Sequence, residues 1–73
     1  MKYGIYDASL DVWVKTSFLE FNTRDGIPVT ENKSEALSSE HKEKIDTLLE
    51  TLKIAWERKG KGWMTKPMEV REL

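Results

Sequence analysis

Ile45-Asp46-Thr47-Leu48-Leu49-Glu50-Thr51-Leu52-Lys53-Ile54-Ala55-Trp56 is the stretch that decides the fold. Ile45, Leu48, Leu49, Leu52 and Trp56 fall at i, i+3, i+4, i+7 and i+11, with Ala55 beside them, and this spacing lays one apolar stripe along an α-helix. Glu43, Lys44, Asp46, Glu50, Lys53 and Glu57 fill the polar side. Acids crowd the first half, while Lys53, Arg58 and Lys59 sit near the end, as the helix dipole favours. Gly60 is a natural stop, because glycine enters the left-handed conformation that closes a helix. The start is less sharply marked. Asn32 with Glu35 three residues on has capping-box spacing. Ser38 or Ser39 equally suits a cap for a helix starting at Glu40. A short helical turn near Lys33 to Leu37, then a main helix from about Ser39 to Lys59, fits both signals.

Upstream of the helix the pattern changes to strand. Tyr3, Tyr6, Trp13, Phe18 and Phe21 lie in the first 21 residues, and only Trp56 and Trp63 lie beyond. Aromatic enrichment suits a pleated surface. Tyr3 to Tyr6 predicts a first strand and Val12-Trp13-Val14-Lys15 a second, with Val12 and Val14 facing one way and Trp13 the other. Between them Asp7-Ala8-Ser9-Leu10-Asp11 is turn chemistry, so the two strands form a hairpin. A third short strand is expected through Phe18 to Phe21, and Asn22-Thr23-Arg24-Asp25-Gly26 is the strongest turn signal in the chain. Ile27-Pro28-Val29 returns in extended form; Pro28 offers no N–H, so this is an edge strand at best. After the helix, Met68 and Val70 alternate with Glu69 and Arg71, which predicts a last strand pairing with the hairpin.

These elements assemble into an α+β fold: a small two-layer β-β-(β)-α-β arrangement in a single domain over residues 1–73. A mostly antiparallel sheet of three to four strands carries the long helix on one face. A chain of 73 residues buries only about 60% of its unfolded surface, so its core is thin.

Composition excludes several functions. The chain has no cysteine, which removes a disulfide scaffold, a zinc ribbon, an iron–sulfur site and thiol catalysis. A formal net charge of −1 is not that of a chain built to coat nucleic acid. No run of about 18 apolar residues is present to span a membrane. The opening Met1-Lys2-Tyr3-Gly4 lacks the apolar stretch of a signal peptide, so the expected compartment is the cytoplasm.

Catalysis has little to stand on. His41 is the sole histidine and sits among Glu40, Lys42 and Glu43, a charged turn ill suited to excluding water. Asp7 and Asp11 read as turn residues rather than an acid–base pair. Asp7, Ser9 and Asp11 have the odd-numbered spacing of a calcium loop, but the sixth-position glycine and twelfth-position glutamate are missing. The expectation is a non-enzyme without cofactor or metal.

Two surfaces carry binding chemistry. Lys53, Arg58, Lys59, Lys61 and Lys66 stand against Glu57 alone, with Trp63 among them. Lys59, Lys61, Trp63 and Lys66 thus form a candidate nucleic-acid loop, one aromatic to stack and cations for phosphates. No RNP pattern or helix-turn-helix signature supports it, and cations at a helix end are ordinary. The second surface is apolar. Tyr6, Trp13 and Leu10 are expected on the sheet face away from the helix, Ile54 lies outside the helix stripe, and Trp63 sits in a glycine-lysine loop. Exposed together, such residues mark protein contacts. Tyr6, Trp13 and Trp63, with Lys61 and Lys66 at the rim, are therefore the candidate protein-binding residues, toward another protein or a second copy of the chain.

Tyr3-Gly4-Ile5-Tyr6-Asp7, Val12-Trp13-Val14, Asn32-Lys33-Ser34-Glu35-Ala36 and Met68-Glu69-Val70-Arg71-Glu72-Leu73 together resemble small uncharacterised accessory proteins of phages and prophages of Gram-positive bacteria. The likeness is one of style across the chain, and the stretch from about Thr23 to Leu37 is an insertion relative to the simplest pattern. The resemblance implies a non-catalytic protein that binds a host protein, for example as an inhibitor of a defence or nucleic-acid-processing enzyme. Anti-CRISPR proteins are one such class. It implies no particular binding residue. Six acids against three lysines from Glu31 to Glu50 would suit phosphate mimicry, but they equally make a solvated helix face.

Overall fold

A computed structural model describes residues 1–15 and 27–73. The central strand, β1 (Tyr3–Asp7), is paired on both edges. β5 (Met68–Glu72) runs antiparallel along one edge for its full length, with Ile5 facing Val70. The other edge is shared. β2 (Val12–Val14) takes its C-terminal half through Tyr6–Trp13 and Asp7–Val12. β4 (Ser38–Ser39) takes its N-terminal half through Tyr3–Ser39 and Gly4–Ser38. β3 (Val29–Thr30) adds to the outer side of β2. Among the described residues the sheet is antiparallel throughout, with one α-helix, α1 (Lys42–Arg58), against it.

The α+β expectation therefore holds, with five strands among the described residues rather than three or four. The additional strand is β4. Ser38 and Ser39 were expected near the helix start, as caps or first residues, yet their backbone is extended against β1. The helix consequently begins at Lys42, with His41 in the capping position and no side-chain cap; Ser39 Oγ instead accepts from the His41 N–H at 3.1 Å. The short turn upstream is present as a 3-10 turn over Lys33–Glu35. Asn32 caps it, its Oδ1 accepting from Ser34 N–H at 3.0 Å. Glu35 does not complete the capping box; its Oε2 accepts from Thr30 Oγ1 at 3.0 Å. Pro28 behaves as an edge residue, its carbonyl accepting from Lys15 N–H at 2.9 Å. The strand expected at Phe18 to Phe21 and the turn at Asn22 to Gly26 lie outside the described residues.

The core follows from the two periodicities. Ile45, Leu49, Leu52 and Trp56 project from α1 onto Ile5, Val14 and Met68 of the sheet, and all seven are buried. Tyr3, Ile27, Leu48, Ala55, Met64 and Val70 pack around that cluster. Ile54, off the stripe, is exposed.

The helix ends in a Schellman motif. Gly60 N–H reaches Glu57 C=O at 3.0 Å, Lys61 N–H reaches Trp56 C=O at 2.8 Å, and Gly60 holds φ +74°. A methyl group at Gly60 would meet nothing within 4 Å. Gly60→Ala therefore isolates the conformational penalty. Its expected cost is about 1–2 kcal/mol, read from the shift in urea midpoint at constant slope.

Candidate functional site

Helix α1 and strand β5 are joined by a tightly bonded connection, and this connection presents Trp63. After the Schellman turn, Gly62–Met64 forms a second 3-10 turn. Met64 N–H bonds to Lys61 C=O at 3.0 Å and Thr65 N–H to Gly62 C=O at 3.2 Å. Thr65 is buried, and its hydroxyl also donates to Gly62 C=O, at 3.1 Å. Met68 N–H then bonds to Thr65 C=O at 3.1 Å and starts β5. Within this bonded frame Trp63 remains 68% exposed. This exposure makes Trp63 a candidate binding residue.

Two concavities meet at Trp63. One, of about 230 Å³, is walled by Leu10, Ile27, Val29, Met64, Pro67 and Met68 besides Trp63, and Asp7 and Ser9 also line it. Leu10 and Val29 are, like Trp63, exposed apolar side chains. This volume lies below the range of about 300–1,000 Å³ for small-molecule sites. The other is a more polar cleft of about 350 Å³ lined by Lys53, Glu57, Gly62, Thr65 and Lys66. Trp63 is common to both. A ligand spanning the pair would place an apolar group on one side of the indole and a negative charge on the other.

The Asp7 carboxylate that lines the apolar pocket is already hydrogen-bonded. The Asp7 carboxylate is 4% exposed, and its Oδ1 accepts from Ser9 N–H at 2.9 Å, Ser9 Oγ at 2.6 Å and Leu10 N–H at 3.3 Å. This is an Asx turn. The turn reading of Asp7, Ser9 and Asp11 is thus the one the geometry shows. Among the described residues no group of three or more His, Cys, Asp and Glu is placed to hold a metal ion. Nor among them is any helix long and apolar enough to cross a membrane.

The candidate residues divide into two groups. Trp63 and Lys66 share the cleft, and Lys61 stands at the start of the same turn. Tyr6 and Trp13 lie on the opposite face of the sheet, paired across β1 and β2 with ring centroids 5.1 Å apart and planes at 56°. Trp13 is only 6% exposed, covering Gly4 with Lys33 Nζ 5.8 Å from its ring. It serves as a cover for the sheet. Tyr6 is half-buried, with the Arg71 guanidinium 4.4 Å from its ring. Its hydroxyl donates to the Asp11 carboxylate, and that bond holds the Tyr6 phenol above its ordinary pKa. Leu10, expected beside Tyr6 and Trp13, instead joins the Trp63 pocket. Lys59, part of the candidate nucleic-acid loop, has its Nζ 4.6 Å from the Trp56 ring.

Sequence reasoning found Trp63 but not its pocket. Leu10, Ile27, Val29, Met64 and Pro67 come from three separate parts of the chain, and only the folded sheet brings them together. Compared with protein families, with curated proteins and with solved structures, the chain matches none.

Proposed function

We propose that this chain is a small non-catalytic accessory protein that acts by binding a host protein, and that Trp63 is the centre of the contact. The observation that carries this reading is the 68% exposure of Trp63 on a hydrogen-bonded turn, where it lines both an apolar pocket and a lysine-bearing cleft. The resemblance to phage and prophage accessory proteins agrees with it. The partner segment fitted by this geometry carries a large apolar side chain for the pocket beside Leu10 and Met64. Next to it would lie acidic residues for Lys53 and Lys66. Lys61 would stand at the rim. Neutralisation by Glu57 is partial, so the charge complementarity favours an acidic segment.

The test is affinity capture from bacterial lysate, with and without nuclease, comparing the natural chain with Trp63→Ala. Because Trp63 is mostly exposed, its loss should leave the urea midpoint nearly unchanged, within about 0.5 kcal/mol. A partner protein that survives nuclease should bind roughly 30-fold more weakly or worse, the magnitude of an interface anchor. A partner held equally well by the variant would sink the proposal. Recovery of nucleic acid, with protein hits that vanish after nuclease and affinity that falls steeply with salt, would replace it with the Lys59, Lys61, Trp63 and Lys66 reading.

A further inference from the structure

β5 closes one side of the sheet, and its outer edge is unpaired by any described strand. Its hydrogen-bond phase is fixed by the bonds that flank it. Leu73 N–H donates to Lys2 C=O at 2.8 Å, and Ala8 N–H donates to Pro67 C=O at 3.1 Å. In an antiparallel pair hydrogen-bonded positions alternate. Pro67, Glu69, Arg71 and Leu73 therefore direct their backbone groups to β1, and Met68, Val70 and Glu72 direct theirs outward. The Met68 N–H is taken by Thr65 C=O. Among the described residues no backbone group takes the Met68 carbonyl or either backbone group of Val70 and Glu72, and these are placed for a further strand.

We propose that this edge is the interface of a two-fold dimer, in which β5 pairs antiparallel with β5 of a second copy and Val70 faces Val70. The side chains select both the partner and the register. Natural edges are guarded by lysine, proline or a bulge. The run Met-Glu-Val-Arg-Glu has no lysine and no proline within it, and its charges are of both signs. Three registers set outward-directed residues opposite one another with at least two such pairs. One puts Glu69 against Glu69 and another puts Arg71 against Arg71; like charges directly opposed are destabilising. The third, centred on Val70, puts Glu69 opposite Arg71 twice. Those two pairs fall at the positions that are not hydrogen-bonded, where side chains come closest.

Both side chains are about half exposed: Arg71 Nε lies 3.4 Å from Glu69 Oε1 within the strand, and its guanidinium lies 4.4 Å from the Tyr6 ring. Pairing would exchange the two within-strand contacts, one in each copy, for two cross-strand ones, while Val70 meets its symmetry mate on the helix side. The two-fold axis stands perpendicular to the sheet, so the result is one continuous sheet with both helices on the same face. The surface is self-complementary, as a two-fold interface requires. This inference stands independently of the role given to Trp63.

Sedimentation equilibrium tests it. At about 100 µM, where a complex of low-micromolar affinity is mostly assembled, the chain should show twice its monomer mass. Glu69→Arg alone and Arg71→Glu alone should each associate at least about tenfold more weakly, because each opposes like charges. An equimolar mixture of the two single variants restores opposite charges at both pairs and should recover the two-copy mass. The double variant E69R/R71E keeps the pair within the strand and should dimerise with itself, which separates loss of pairing from loss of folding. A natural chain that stays monomeric would overturn the proposal. So would Glu69→Arg remaining dimeric, or a mixture of folded single variants that stays apart.

Discussion

Trp56→Ala is expected to destabilise the fold by about 3–5 kcal/mol, the cost of emptying an aromatic site in a well-packed core. A chain of 73 residues has roughly 4–11 kcal/mol of stability in all, so this variant should be largely unfolded in mild urea. Trp56 is 1% exposed and is the largest of the fully buried side chains. It closes the C-terminal end of the helix stripe against the sheet. One further feature depends on the indole: its ring carries the Lys59 ammonium beside the Schellman turn. Collapse at this end would therefore loosen the turn that presents Trp63. The variant should lose partner binding together with stability, whereas Trp63→Ala loses binding alone. Urea unfolding followed by far-UV circular dichroism reads the first effect. A loss below about 1.5 kcal/mol would mean that the helix stripe is not the principal core, since that is the range of volume-conserving swaps.

The elements carried by periodicity were legible in the sequence because local spacing specifies them. The stripe Ile45, Leu49, Leu52 and Trp56 is the buried face of α1, and Gly60 ends the helix as its chemistry demands. The hairpin and the alternation of Met68 and Val70 are likewise local patterns, and both are present as strands. β4 was not legible. Ser38 and Ser39 have the composition of a helix cap, and what makes them a strand is the N-terminal half of the β1 edge left uncovered by the short β2. That vacancy is a property of the assembled sheet. The site divides in the same way. Trp63 stands out as an aromatic among glycines and lysines, so its exposure could be anticipated. Its pocket could not, because Leu10, Val29 and Pro67 meet only through strand order. Trp13 shows the converse limit. An aromatic on the face away from the helix reads as exposed, and what hides it is a glycine on the neighbouring strand that lets the indole lie flat.

That glycine gives the second large effect. Gly4→Ala is expected to cost about 2 kcal/mol, within the usual 1–3 kcal/mol for overpacking, although the change adds a single methyl group. A Cβ at this position would stand 3.0 Å from Leu73 Cδ1, 3.1 Å from the Leu37 carbonyl oxygen and 3.2 Å from Trp13 Cε3. The three neighbours differ in how far they can yield. Leu73 Cδ1 is the tip of a flexible side chain and can turn away. The Leu37 carbonyl belongs to backbone tied to β2 through Leu37 N–H and Val14 C=O at 3.0 Å. Trp13 is held on one side by Tyr6 and has the Lys33 ammonium over its ring. The strain must therefore persist when the yielding neighbour is removed. In a double-mutant cycle with Leu73→Ala, the cost of Gly4→Ala should fall by no more than about 0.5 kcal/mol, the scatter of independent sites. With Trp13→Leu it should fall further but not vanish, because the carbonyl contact remains. A Gly4→Ala protein as stable as the natural chain would show that β1 and Trp13 are not in close contact. The distal face would then be open, and Trp13 would again be an exposed anchor.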